Sequence, residues 1–79
     1  MGMVATVFKV YSDDTEGTAK AIKEKLSPKS LQLMEIAFGI KVIKVMFVHE
    51  DSEGSNIFED RLRNIEGVKE VEVEDETLL

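Results

Sequence analysis

Residues 31–49 read LQLMEIAFGIKVIKVMFVH, and this stretch decides the fold. Residues 31–38 and 40–49 each have the alternating apolar pattern of a β-strand. Phe38-Gly39 between them predicts a turn, because glycine adopts backbone conformations that other residues resist. A large aromatic ring at an exposed turn is a candidate anchor for another protein. The alternative is that the Phe38 ring folds back over the sheet edge and closes the core.

The sequence before this stretch predicts a strand and a helix. Residues 3–11 are rich in β-forming side chains. Asp13 and Glu16, three residues apart, resemble a capping box at a helix start. Ser27-Pro28 ends this helix at about Leu26, because the residue before a proline is pushed out of the helical region. Its apolar face is formed by Ala19, Ile22 and Leu26.

The sequence after this stretch predicts a second helix and a last strand. An acidic loop ends in the N-cap candidates Ser55 and Asn56. Gly67 is the expected C-terminal cap. Residues 68–75 form the last strand and residues 76–79 a loose tail. The apolar face of the helix is expected to be formed by Phe58, Leu62 and Ile65. In the last strand Val71 and Val73 are expected to face inward, and Glu70, Glu72 and Glu74 outward.

The predicted order is β-α-β-β-α-β, which is typical of an α+β, ferredoxin-like sandwich. Two helices would cover one face of a four-stranded antiparallel sheet, with the first and third strands central. Ile43, Val45 and Phe47 share one face of the third strand and are predicted core residues. The glutamates on the last strand would protect an exposed edge from pairing with other chains. At 79 residues the chain is predicted to form a single domain over 1–79.

Composition excludes several classes of function. The net charge of −6, from sixteen acids and ten bases, argues against binding nucleic acid or an anionic membrane surface. The absence of cysteine excludes disulfides and thiolate metal sites. No apolar stretch approaches the roughly 20 residues needed to span a bilayer, and no signal peptide is visible. We expect a soluble, cytoplasmic protein.

The chain also lacks the residue patterns that catalysis requires. His49 is its one histidine and is expected to be a surface residue, without companions for a metal site. The acidic loop at 50–53 lacks the ligand order of a calcium loop, and neither Gly39 nor Gly54 belongs to a phosphate-binding motif. Lys41 and Lys44 are the bases expected near the open sheet face. We therefore expect no catalytic residues, no metal and no cofactor.

Four segments together resemble the elongation factor 1-beta family, in particular its short archaeal members. They are IAFGIKVIKV at 36–45, VHEDSEG at 48–54, IEGV at 65–68 and VEV at 71–73. The resemblance implies a ferredoxin-like guanine nucleotide exchange factor for elongation factor 1-alpha, a GTPase, and implies no bond chemistry. It implies that Phe38 packs against the GTPase and that its neighbours shape the turn. The predicted partner-binding residues are Ala37, Phe38, Gly39, Ile40 and Lys41, in a protein that is a monomer when free.

One position departs from the pattern that the resemblance implies. Leu78 stands where eukaryotic members carry a lysine that approaches the Mg²⁺ of the GTPase. The resemblance therefore does not imply that a cation is inserted there. Exchange would rest instead on displacement of GTPase elements by the Phe38 turn and the C-terminal strand end.

Two other classes of protein have the same order of elements. A small-molecule regulatory domain that binds amino acids between paired ferredoxin-like units is compatible with residues 65–68. Such domains usually place a glycine-containing loop after the first strand, and here Gly17 comes late. An acylphosphatase-like enzyme would need an arginine in that loop, and the loop has none.

Overall fold

The computed structural model describes residues 2–52 and 54–79, so Met1 and Glu53 of the predicted acidic loop lie outside the described residues. Its elements are β1 (Met3–Ser12), α1 (Thr15–Leu26), β2 (Ser30–Ala37), β3 (Ile40–Glu50), α2 (Ser55–Arg63) and β4 (Val68–Leu78). The strands form one antiparallel sheet in the order β2-β3-β1-β4. The predicted ferredoxin-like fold, with β1 and β3 central, is confirmed.

The core lies between the helices and one face of the two central strands. Alternate residues of a strand point to opposite faces, so the inward positions of β1 and β3 meet the apolar sides of α1 and α2. The Phe47 ring stacks on Phe58 at 4.8 Å between centroids and meets Phe8 edge-on at 6.0 Å. The core residues include Phe8, Val10, Ile22, Ile43, Val45, Phe47 and Leu62, which confirms the predicted inward faces.

The helix termini differ in detail from the sequence prediction. Asp14, not Asp13, caps α1, and its Oδ1 accepts a hydrogen bond of 3.1 Å from the Gly17 amide. The N-cap of α2 is Gly54, which has no side chain for capping, so the prediction of Ser55 or Asn56 is wrong. The C-cap of α2 is Asn64. Gly67 instead supplies a left-handed conformation, φ 95°, in the turn before β4.

The prediction of a loose tail is wrong for residues 76–78, which are the end of β4. Residues 76–78 pair with β1, with Leu78 opposite Val4, and the Leu79 amide donates a 2.8 Å hydrogen bond to the Met3 carbonyl. The strand continues because β1 is a central strand whose second edge needs backbone partners. Val73 was expected to be buried but is 46% exposed, since an edge strand has a neighbour on one side only.

A β-bulge in β4 organises charge on the open face of the sheet. Phe8 pairs with Val73 while Val7 pairs with Asp75, which leaves Glu74 as the extra residue. Its carboxylate lies 2.9 Å from Lys44 Nζ and 3.6 Å from Lys9 Nζ. The two lysines are directly opposite each other on β1 and β3, so Glu74 offsets their repulsion. Lys9 therefore lies on the same face as Lys44. The sequence prediction did not include Lys9 among the bases of this face.

His49 is buried, and the prediction of a surface histidine is wrong. Its side chain is 4% exposed and its ring centroid lies 5.0 Å from that of Phe58. The position follows from strand alternation, because His49 continues the inward series of Ile43, Val45 and Phe47. Burial of its polar ring is tolerated because both ring nitrogens have hydrogen-bond partners.

Among the helices of residues 2–52 and 54–79, none is both long enough and apolar enough to cross a bilayer.

Candidate functional site

The β2–β3 connection is a two-residue hairpin turn made of Phe38 and Gly39. Ala37 pairs with Ile40 across the turn. The φ angles are 49° at Phe38 and 78° at Gly39. Positive φ at both central residues is the property of type I′ turns, whose twist matches that of the flanking strands. A Cβ added to Gly39 would meet no atom within 4 Å, so this position needs glycine for its backbone angle alone.

Phe38 is a poor residue for the conformation that it adopts. Type I′ turns favour Asn, Asp or Gly at this position. A bulky residue with positive φ is a conformational outlier, and such strain is worth about 1–3 kcal/mol. Strained residues of this kind cluster at binding and switch sites, where the surrounding structure holds them in place. The fold is therefore locally destabilised at Phe38, which is also the most exposed aromatic residue.

The Phe38 side chain is fully exposed, at 101% of its reference area. The alternative in which its ring closes the core is therefore excluded. Ile36 and Ile40, on either side of it, are 51% and 55% exposed. Met34 is also exposed, further along β2. Exposed apolar side chains are common when scattered, but a contiguous set at one tip is typical of an interaction site.

A β-bulge next to the turn accounts for the position of Ile36. Glu35 pairs with Lys41 and Ala37 pairs with Ile40, so Ile36 is the extra residue on β2. Bulges bend the strand and re-aim side chains, and they occur often beside functional sites. Ile36, Phe38 and Ile40 are called the hairpin tip below.

All five predicted site residues lie at this end of the sheet, and all are exposed. Ala37 and Ile40 form the closing pair of the turn, and Lys41 is opposite Glu35 one pair further in. Strand alternation places Lys41 on the same side of β3 as Ile43, rather than on the open face with Lys44. The five residues form one surface, in which the apolar side chains are at the tip and Lys41 is behind them.

Sequence reasoning missed two features of this site. It gave no role to Ile36 as a bulged residue, and it did not identify the strain at Phe38. The second had a signal in the sequence, because a two-residue connection between antiparallel strands favours primed turns and these require positive φ. The bulge had no such signal, since it depends on the pairing register of both strands.

The hairpin tip exposes mainly apolar side chains. In the part of the chain that the structure describes, no three His, Cys, Asp or Glu side chains are grouped so that they could hold a metal ion. The tip presents apolar side chains, with Glu35 and Lys41 opposite each other behind it. Such a surface suits contact with another macromolecule.

The chain is similar in sequence to proteins of one family. Residues 3–79 match the family described as the EF-1 guanine nucleotide exchange domain. Elongation factor 1-beta of Aeropyrum pernix is 42% identical over 84 residues, covering 94% of this chain and 93% of that protein. Elongation factor 1-beta of Methanothermobacter thermautotrophicus is 36% identical over 95% of this chain, and that of Methanosphaerula palustris 34% over 99%. These relatives are archaeal and match over almost their full lengths. This chain belongs to the EF-1 guanine nucleotide exchange domain family.

Proposed function

We propose that this protein, acting as a monomer, promotes exchange of GDP for GTP on elongation factor 1-alpha and that the hairpin tip binds this GTPase. The observation that carries the proposal is the Phe38 ring, which is fully exposed and held in a left-handed conformation. A free ring at the end of a rigid hairpin presents a large apolar area with little conformational freedom to lose on binding. Anchors of this kind dominate the energy of many protein interfaces.

Exchange of a nucleotide needs no bond chemistry in the exchange factor. A GTPase holds its nucleotide through backbone amides, a lysine and Mg²⁺. A factor that binds the nucleotide-free form more tightly than the loaded form weakens nucleotide binding by the same ratio, because the two equilibria are linked. The site therefore needs only differential contact with the two forms of the GTPase.

The molecule exposes apolar side chains at two ends that lie far apart, the hairpin tip and the C-terminal end of β4 with Leu78. The hairpin tip is at one end of β3, whereas Glu50 at the other end pairs with Met3, next to the pairing of Val4 with Leu78. The long axis of the molecule measures 41 Å. In our proposal the tip anchors the GTPase and the C-terminal end of β4, with the exposed Leu78, contacts a second region of it.

The binding part of the proposal is tested by titrating elongation factor 1-alpha with the wild type and with Phe38→Ala. We expect the variant to lose about 2 kcal/mol of binding free energy, which is roughly a 30-fold rise in Kd. Ile57→Ala is the matched control, because Ile57 is a partly exposed apolar residue on α2, away from the tip. Equal losses in the two variants, with both folded, would contradict an anchor at Phe38.

A further inference from the structure

The core contains a chain of hydrogen bonds that ends on the last residues of β4. His49 Nδ1 lies 2.9 Å from the Glu50 carbonyl oxygen, and His49 Nε2 lies 3.0 Å from Thr6 Oγ1. Thr6 Oγ1 in turn lies 3.3 Å from Glu76 Oε2. Thr6 is fully buried, and among the described residues His49 is the only buried side chain that can titrate. The nucleotide exchange proposed above makes no use of this group.

The number of available hydrogen atoms restricts this chain to two states. A carbonyl oxygen only accepts, so Nδ1 must carry a hydrogen in both. Thr6 has one hydroxyl hydrogen. If it donates that hydrogen to Glu76, then Nε2 must donate to Thr6, and the ring is an imidazolium. If the ring is neutral, then Nε2 must accept the hydrogen from Thr6, and the carboxylate of Glu76 loses its donor.

We infer that Thr6 couples the protonation of His49 to the attachment of Glu76, so that the end of β4 is held more tightly when His49 is charged. The charged state has an imidazolium, a hydroxyl and a carboxylate in line, and each of its hydrogen bonds involves a charged group. The neutral state keeps the ring satisfied but releases the carboxylate. The switch acts on residues 76–78, which are the exposed C-terminal end of β4, and on Leu79 after them.

The surroundings of the ring are consistent with a change of charge. From β1 the ring is faced by the uncharged Val4 and Thr6, and from β4 the acid is Glu76. From α2 it is faced by Phe58, whose ring also has the Arg61 guanidinium 5.8 Å from its centroid. Glu50, beside His49 on β3, is exposed and contributes its carbonyl. An aromatic face stabilises a cation, whereas Arg61 opposes one.

The first test reads the ring directly. His49 is the only histidine of the chain, so its nitrogen resonances are unambiguous in ¹⁵N-labelled wild type. Over a pH series we expect hydrogens on both nitrogens wherever the ring is charged and on Nδ1 alone wherever it is neutral. A neutral ring that carries its hydrogen on Nε2, or a ring that keeps one charge over the whole pH range in which the protein stays folded, would overturn the inference. This measurement needs no variant.

The second test measures the coupling to the strand end. The reporter is hydrogen exchange of the Leu79 amide, which is bonded to the Met3 carbonyl. Where the first test finds the ring charged, Glu76→Ala should speed this exchange about fivefold, the effect of losing one hydrogen bond. The effect should vanish in the Thr6→Val background, persist in the Thr6→Ser background, and disappear in all backgrounds where the first test finds the ring neutral. An equal effect of Glu76→Ala with Thr6 and with Thr6→Val, or in both charge states of the ring, would overturn the coupling.

Discussion

At the scale of single residues, Phe38 combines two properties that are rarely found together. It is the most exposed apolar side chain of the described residues and it has positive φ. Each property is unfavourable for the isolated molecule, since one exposes apolar area to water and the other strains the backbone. Our proposal that this turn binds the GTPase would account for their coincidence at one position, because binding would cover the ring and make use of its fixed position.

Replacement of Phe38 by asparagine is expected to stabilise the fold. Asparagine tolerates the left-handed conformation that a type I′ turn requires, so the strain at this position is reduced. We expect a gain of about 1 kcal/mol in the free energy of unfolding, or roughly 4–8 °C in Tm for a domain of this size. Urea and thermal unfolding monitored by circular dichroism measure it.

Phe38→Ala is the control for this prediction. Alanine removes the ring but keeps a side chain that resists positive φ. Its stability should therefore lie near that of the wild type and below that of Phe38→Asn. Equal stability of the two variants would show that the backbone at Phe38 is not strained.

At the scale of elements, β4 differs most from what its sequence suggests. Its last residues are Glu76, Thr77 and Leu78, and with Leu79 they have neither the alternation nor the turn signals of a clear strand end. Their pairing is fixed by β1, which would otherwise leave backbone groups without partners. A long-range requirement of this kind is not contained in the local pattern.

Deletion of residues 76–79 is expected to destabilise the fold. It removes the partners of the first part of β1 and exposes the edge of a central strand. The loss of at least two net hydrogen bonds predicts a decrease of about 2 kcal/mol in the free energy of unfolding. Chemical denaturation measures the change, and size-exclusion chromatography detects association through the new edge. An unchanged stability would mean that these four residues are not held in β4.

The ion pairs of Glu74 predict that the stability of the fold depends on pH. The pKa of Glu74 lies below its ordinary value of 4.5, chiefly because Lys44 donates a hydrogen bond to the carboxylate. The folded state therefore favours the charged form more than the unfolded chain does. The resulting stabilisation is present above about pH 4.5 and is lost as the pH falls through the lowered folded-state pKa.

Glu74→Gln tests this effect. The amide has the shape of the acid but no charge, so the variant should be less stable than the wild type at about pH 7, and the difference should be smaller at about pH 3, where a larger fraction of Glu74 is protonated. The free energy of unfolding is measured in urea at both pH values. Glu70→Gln, on the same strand but outside the observed ion pairs, should change less at neutral pH. A difference for Glu74→Gln that does not depend on pH would contradict the ion-pair explanation.

The local pattern was sufficient for the fold and for most of the core. The spacing of apolar residues correctly placed Phe47 of β3, Ile22 of α1 and Leu62 of α2 in the core. In each element the apolar residues recur with the period of that element, so the pattern identifies the face that is buried. It failed for His49, whose polarity suggested the surface although its position in the strand points inward. The position of the hairpin turn was predicted from Gly39, whereas the bulges at Ile36 and Glu74 depend on register across strands.

At the scale of the whole molecule, the two apolar ends are joined by a continuous sheet. The central strands β1 and β3 run from the region of the tip to the C-terminal end of β4, and their inward faces form one core. Because packed interiors are nearly incompressible, the two ends are held at a fixed distance. In our proposal this rigidity lets binding energy at the tip position the other end against the GTPase.

The central claim is tested most directly by the rate at which a fluorescent GDP leaves elongation factor 1-alpha of the same organism. The release is followed over a range of concentrations of the wild type, Phe38→Ala and the control Ile57→Ala. Our proposal predicts acceleration by the wild type and by Ile57→Ala, and a concentration dependence shifted about 30-fold for Phe38→Ala. Unchanged release with the folded wild type and an active GTPase would contradict the proposed function, and equal curves for all three proteins would contradict the role of Phe38.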